Sequence, residues 1–310
     1  CSPEQPPALV AGNADLTRYF IRRTLLSQTD LRALRCLALL PASGMETGRF
    51  LRAAGLRAAV LERLCAMSLV WVRPQDGESQ CGLHPVIAES VRHCYPPTPE
   101  NCRRFLRGMQ AEYAHLWDEP YGAVIKAMPI CFSLLNAWPT PRAWLADSYD
   151  TFATVLWIGG YFGKSLQFML RLYRSCEEHY GPVHQVTGSI AMRVGAVYHN
   201  SMQFSSAKTW YQKALDILRT CKPCNILYFY RLAQAAHKLC RNDRHEGRYA
   251  SAAAYCQEAL EAFERYVDVV GELPLPHRKT GYFLRLEQTK LLACQSRHQQ
   301  ALEVCLQLRE

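Results

Sequence analysis

Apolar residues recur at helical spacing along almost the whole chain, and the places where that spacing fails mark its organisation. Residues 14–27 carry apolar side chains at 16, 19, 20, 25 and 26, close to the period of an α-helix. Thr29-Asp30 reads as the cap of a second helix over 31–40, stopped by Pro41 and by Ser43-Gly44. A short third helix is predicted over 46–54, ended by Gly55, and a fourth over 57–67 with Val60, Leu61 and Leu64 on one face. The pattern then changes. Leu69-Val70-Trp71-Val72-Arg73 is a β-branched and aromatic run, Pro74-Gln75-Asp76-Gly77 signals a turn, and Gln80-Cys81-Gly82-Leu83 returns as a second strand. His84-Pro85 opens one more helix, which ends at Pro96-Pro97.

From residue 99 onward the pattern is helical throughout. Residues 101–116 and 123–138, separated by Asp118-Glu119-Pro120, read as one helix pair. After it a frame repeats: Gly160-Tyr161-Phe162-Gly163-Lys164-Ser165, then Met202-Gln203-Phe204-Ser205-Ser206-Ala207, then Gly247-Arg248-Tyr249-Ala250-Ser251-Ala252, then Ser296-Arg297-His298-Gln299-Gln300-Ala301. The small residue closing each frame falls at 165, 207, 252 and 301, so the intervals are 42, 45 and 49. Each frame runs on into an amphipathic helix and is preceded by a partner helix, clearest at Gly195-x-x-Tyr198.

This pattern resembles the tetratricopeptide repeat (TPR), in the long form of about 42 residues. The best copy is 191–218, with Gly195, Tyr198, Phe204, Ala207, Tyr211 and Ala214 in register, and Tyr180-Gly181-Pro182-Val183-His184 resembles the leader between copies. The resemblance implies helix hairpins in which small residues permit close approach and large ones fill the neighbouring groove. The third copy departs from it. Asp243 stands where an aromatic or Leu is expected, which predicts a lengthened turn around 241–246.

The first hundred residues, helices followed by a β-hairpin, have the arrangement of a winged helix. Leu37-Ala38-Leu39-Leu40-Pro41, the stretch from Leu61 to Val70, and Leu83-His84-Pro85-Val86-Ile87 resemble the winged-helix domain that closes the nucleotide-binding module of NB-ARC-type STAND regulators. In that family a Met-His-Asp-like motif ends the hairpin, and its His reaches the phosphates of bound ADP. Only His84 matches; Leu83 replaces the Met and Pro85 the Asp. The fold class is therefore expected to be all-α: a winged-helix domain over 1–98, a helical bridge or degenerate repeat over 99–147, and a TPR-like α–α superhelix of about four repeats over 148–310.

Composition narrows the function. Of 310 residues, 49% are apolar, which excludes a disordered chain, and no run approaches the ~18 apolar residues of a membrane helix. The net charge of +9 is dispersed, about +3 of it on the first 99 residues, with no polybasic block to favour nucleic acid or anionic lipid. Fourteen cysteines fall mostly at small apolar helix positions (Cys36, Cys65, Cys131, Cys176, Cys240, Cys256, Cys294 and Cys305), which points to a reducing cytoplasm. The opening Cys1-Ser2-Pro3 shows no signal peptide, and the helical pattern at the end reads as a piece of something larger.

Three signals suggest chemistry. Gly163-Lys164-Ser165 resembles the tail of a P-loop, but position 158 is Ile where that motif needs Gly, so an inter-helix turn is expected. Cys221, Cys224, His237 and Cys240 have zinc-like spacing, against which Cys240 occupies a small core position of its repeat. No nucleophile lies in a strand–turn–helix elbow, and no carboxylate pair suggests acid–base work, so the chain is not expected to be an enzyme.

The expected function is regulatory: a sensor binding a protein or peptide ligand in a groove lined by the first helix of each hairpin. Candidate groove residues are Arg193, Asn200, Arg231, Gln234, Lys238 and Arg285, whose basic bias points to an acidic or carboxylate-bearing partner. By resemblance, an upstream nucleotide-binding domain and this winged helix would hold ADP or ATP between them with His84 in contact, no cofactor belonging to this stretch itself. Two other readings stay open, a winged-helix DNA-binding regulator with a TPR ligand domain and a plain TPR scaffold.

Overall fold

The computed structural model describes residues 25–75, 77–116, 119–223 and 225–307. The chain divides into two compact units between Tyr161 and Phe162. Among the described residues the fold is all-α apart from one small sheet, and none of the described helices is long and apolar enough to cross a membrane.

In the first unit, α1 (Gln28–Leu37) begins three residues earlier than the sequence pattern suggested. The reason is a capping box. Ser27 Oγ accepts from Asp30 N at 3.1 Å, and Asp30 Oδ2 accepts from Ser27 N at 2.9 Å, which satisfies two helix-end donors at once. Asp30 also receives Arg63 Nη2 at 2.5 Å, which ties α1 to α3 (Ala58–Ala66). The expected helix over 14–27 lies outside the described residues except for 25–27, which are not helical.

Between α1 and α3 run a two-residue strand β1 (Met45–Glu46) and α2 (Thr47–Ala54), stopped by Gly55 at φ +60°. The hairpin follows as β2 (Trp71–Gln75) and β3 (Glu78–Gly82). The sheet is antiparallel in the order β1-β3-β2, with Met45 and Val72 both opposite Cys81. Two glycines permit this. A Cβ on Gly82 would meet the Trp71 ring at 2.5 Å, and one on Gly44 would meet the Cys81 carbonyl oxygen at 2.2 Å. The unit continues with α4 (Pro85–Cys94), α5 (Arg103–Tyr113), α6 (Tyr121–Leu135) and, after a 3-10 turn, α7 (Ala146–Ile158). Leu34, Leu37, Phe50, Leu64, Val91, Phe105 and Met109 form its core, with the Phe50 and Phe105 rings 5.7 Å apart. Each such side chain contributes about 2 kcal/mol by leaving water.

The second unit is a series of antiparallel helices: α8 (Phe162–Tyr180), α9 (Gln185–Asn200), α10 (Phe204–Thr220), α11 (Leu227–His245), α12 (Tyr249–Val270), α13 (Leu275–Cys294) and α14 (His298–Gln307). They pair as hairpins α9/α10, α11/α12 and α13/α14. First helices lie beside first helices: Tyr230 on α11 shares a 2.9 Å hydrogen bond with Thr280 on α13. Second helices lie beside second helices, where Arg219 on α10 donates to both carboxylate oxygens of Glu258 on α12 at 2.9 and 2.7 Å.

The small residues closing the four sequence frames, Ser165, Ala207, Ala252 and Ala301, are all buried. Within a hairpin the approach is closer still, for a Cβ on Gly195 would lie 2.6 Å from the Tyr211 ring. These contacts carry the tandem α-hairpin, TPR-like architecture.

At Asp243 the turn is not lengthened. Instead of opening a longer turn, helix α11 runs on through it to His245, and Gly247 at φ +74° makes the turn. The carboxylate is buried and receives Ser251 Oγ at 2.5 Å, Arg248 Nη2 at 2.6 Å and Lys208 Nζ at 3.0 Å. A polar network therefore fills the place of the missing apolar side chain. Cys36, Cys131, Cys176, Cys240 and Cys256 are buried as expected, but Cys294 is exposed and Cys65 and Cys305 are half-buried.

Candidate functional site

The face presented by the first helices carries a cluster of basic side chains. Helix α11 positions a stripe at intervals of three and four: Tyr230, Arg231, Gln234, His237, Lys238 and Arg241 are all half-buried, while Ala233, Ala235, Ala236, Leu239 and Cys240 turn inward. Helix α9 contributes Arg193 and Asn200, both half-buried, and α13 contributes Glu287 and Lys290.

The electrostatics of this face are one-sided. Lys238 is drawn down to about 8 by burial first, then by the guanidiniums of Arg241 and Arg193, with Glu287 opposing. His237 is pushed down to about 3 by burial, then by Lys238, Arg241 and Lys290. His199, on the same α9 as Arg193, falls to about 4 through burial and the charge of Arg241, despite a 3.4 Å contact with Asn242 Oδ1. Glu287 is the acid in this group, and it is already paired with Arg244, with Lys290 Nζ 3.9 Å away. Among the described residues, the side chains of Lys238 and Arg241 make neither a hydrogen bond nor an ion pair. Two like charges one turn apart, half-buried and outside any ion pair, are a destabilising arrangement that an anion would relieve.

Of the groove residues expected from sequence, Arg231, Gln234 and Lys238 share the α11 stripe and Arg193 joins them from α9. Asn200 spends its amide on its own helix, donating to the Ala196 carbonyl at 2.7 Å. Arg285 lies apart from the cluster, in a cleft with Leu260, Phe263 and Tyr282, with Glu264 Oε1 3.7 Å away. Arg241, Tyr230 and Lys290 were missed. The three-and-four spacing of Tyr230, Arg231, Gln234, Lys238 and Arg241 along one helix was the signal that could have found the first two.

The zinc candidates do not converge. Cys221 is buried and its Sγ donates to the Leu218 carbonyl at 3.5 Å; Cys224 lies outside the described residues. Cys240 is buried on α11, as is Cys256 on α12 of the same hairpin. His237 faces Lys238, Arg241 and Lys290, whose charges oppose a metal cation. No cluster of three or more metal-ligating side chains exists among the described residues. Gly163-Lys164-Ser165 forms the first turn of α8 rather than an inter-helix turn, and Ser165 is buried.

In the first unit His84 is exposed and caps α4, its Nδ1 accepting from Val86 N at 3.4 Å. On α3, Arg63 is committed to Asp30.

No family model and no curated protein matches the chain. Among solved structures, BtubC from P. vanneervenii is similar at 13% identity, over 68% of this chain and 78% of that one, with a TM-score of 0.46. The nearly identical TPR-like repeats of a Podosopora anserina protein described as a kinesin light chain match at 15%, over 68% and 95%, with a TM-score of 0.45. A signal transduction ATPase with numerous domains (STAND) and a tetratricopeptide repeat sensor, from Pyrococcus horikoshii, matches at 15% over 93% of this chain and 57% of its own, with a TM-score of 0.33. At these identities and scores the likenesses carry no argument about function.

Proposed function

We propose that the chain is the non-catalytic sensor region of a STAND-type signalling ATPase, and that its first-helix face binds an acidic protein or peptide. The observation that carries this reading is the pair Lys238 and Arg241, half-buried on one stripe of α11, whose side chains make no hydrogen bond or ion pair among the described residues, with Arg193 beside them. A run of carboxylates laid along α9, α11 and α13 supplies the missing counter-charge, and the half-buried Tyr230 adds apolar surface.

The part of the first unit up to residue 98 is then a winged helix, a reading supported by its element order and its three-stranded sheet. His84 stands exposed at the end of the hairpin, where it touches the phosphates of a nucleotide held by an upstream domain. Ligand capture shifts the protein toward an open state that exchanges ADP for ATP. That requires the ligand to bind the open state more tightly than the closed one, since equal affinity shifts nothing.

Fluorescence anisotropy of the full chain with a labelled Asp/Glu-rich peptide, against the same peptide with Lys at the acidic positions, tests the ligand class. Binding of the acidic peptide at least ten-fold tighter supports the reading, and equal binding of both refutes it.

A further inference from the structure

A cleft of about 480 Å³ opens in the first unit, where β1 and β3 meet the end of α5 and the first half of α6. That volume lies in the range of small-molecule sites, about 300–1,000 Å³. Met45, Ala127 and Ile130, all buried, give the cleft apolar surface. Charged side chains of both signs line it as well: Glu46, Arg49, Glu78, Glu119 and Lys126.

Its innermost polar groups lack partners. Tyr113, only 1% exposed, lines the cleft, and its hydroxyl has no hydrogen-bond partner among the described residues; the buried Arg49 Nε has none either. The two belong together, since the Arg49 guanidinium carbon lies 5.5 Å from the centre of the Tyr113 ring. Neighbouring carboxylates do not satisfy Arg49. Its Nε is 3.5 Å from Glu46 and 3.7 Å from Glu112, too far for good hydrogen bonds, and Glu112 takes two bonds of 2.9 Å from Arg52 instead. Buried donors without acceptors are costly, and a guanidinium beside a phenol is a receptor for a carboxylate. Glu78, Glu119 and Lys126 are exposed, and their side chains make no hydrogen bond or ion pair among the described residues.

We propose that this cleft binds a small zwitterion, an α-amino acid with an apolar side chain. Its carboxylate is held by Arg49 and Tyr113, its ammonium faces the free carboxylates of Glu78 and Glu119, and its side chain packs on Met45, Ala127 and Ile130. A simple anion would meet three carboxylates in the same cleft, and a simple cation would leave Arg49 and Tyr113 without an acceptor. A ligand carrying both charges answers both groups. The inference goes beyond the acidic-peptide reading and does not rest on it, because every lining residue belongs to the first unit.

Calorimetric titration of the full chain with leucine, methionine and phenylalanine tests the proposal, with N-acetylleucine lacking the ammonium and leucinamide lacking the carboxylate. At least one free amino acid is expected to bind saturably, and the blocked compounds at least ten-fold more weakly than leucine. Gly122 lines the cleft and has nothing within 4 Å of an added methyl, so Gly122→Trp puts a bulky ring at its wall without a clash at its base. Gly122→Trp and Arg49→Gln should each weaken binding at least ten-fold, in proteins that melt as folded species. Failure of all three amino acids to bind at millimolar concentration overturns the proposal, as does equal binding of N-acetylleucine or undiminished binding to Gly122→Trp.

A second readout needs no variant. With carbon-13 in the methionine methyl groups, the bound amino acid should shift the Met45 signal and leave those of Met169 and Met192, buried in the second unit, unmoved. Binding that leaves Met45 unchanged also overturns the proposal.

Discussion

Lys208 on α10 reaches Asp243 on α11 with a nitrogen–oxygen distance of 3.0 Å, joining the second helix of one hairpin to the first helix of the next. The Asp243 carboxylate is buried, whereas Lys208 and Arg248 are more than one-third exposed, so solvent screens much of the attraction. Its value lies in leaving no buried charge unpaired. Asp243→Ala is expected to cost about 2 kcal/mol, seen as a lower urea midpoint of the second unit. Lys208→Met should cost well under 1 kcal/mol, because Arg248 and Ser251 still hold the carboxylate.

Acid should weaken the second unit in two stages with different signatures. Burial alone would raise the Asp243 carboxyl, but hydrogen bonds from Arg248, Ser251 and Lys208 outweigh it and hold the group below its ordinary value. Its contribution is therefore complete above the unfolded value near 3.9 and is lost as pH falls through the lower folded value. His199 and His237 act earlier. Their folded values, about 4 and about 3, lie below the ordinary value near 6.5, so the unfolded chain binds more protons between these limits and stability falls as pH drops below 6.5. Each contributes about 1 kcal/mol per pH unit in that window. His237→Gln should flatten the upper part of the profile and Asp243→Asn the lower, as read by thermal melts from pH 7 to 3.

Two glycine-to-alanine changes should have opposite outcomes. At Gly195 a methyl would lie 2.6 Å from the Tyr211 ring, so Gly195→Ala forces α9 and α10 apart and costs about 2 kcal/mol despite its better helix propensity. At Gly163, in the first turn of α8, nothing lies within 4 Å of the added methyl, so Gly163→Ala should be neutral or stabilise by up to about 0.5 kcal/mol. Equal effects at both sites would contradict the packing described for the α9/α10 hairpin.

The cysteines offer a check on burial. Cys294 is exposed, whereas Cys131, Cys176 and Cys240 are buried. Brief alkylation of the folded chain should modify Cys294 first and reach the buried three only after denaturant is added. Early modification of Cys240 would contradict its place between α11 and α12.

Much of this fold was legible because a hairpin array repeats its own signal. Gly195, Tyr211 and the small residues at 165, 207, 252 and 301 mark helix contacts that the structure bears out. What escaped was local or long-range. A two-residue strand such as β1 is too short to show a period. The capping box of Ser27 and Asp30 was hidden by Thr29, which offers an equally good capping side chain. Asp243 looked like a break because its partners, Lys208 and Arg248, come from beyond its own helix.

The charged face was half legible for the same reason. Helical spacing identifies the stripe containing Arg231, Gln234 and Lys238, but it cannot tell that Arg285 belongs with Glu264. Nor can it show that Lys238 and Arg241 lack acids of their own, which requires the neighbouring helices to be in place.

Calorimetric titration of the full chain and of its Lys238→Met/Arg241→Gln variant with the same acidic peptide, at two salt concentrations, tests the ligand-binding face most directly. Binding that weakens with salt in the unmutated chain and falls at least ten-fold in the variant, with both proteins melting as folded species, is the predicted result. Affinity that is unchanged by the double substitution would place the ligand elsewhere and contradict the assignment of this face.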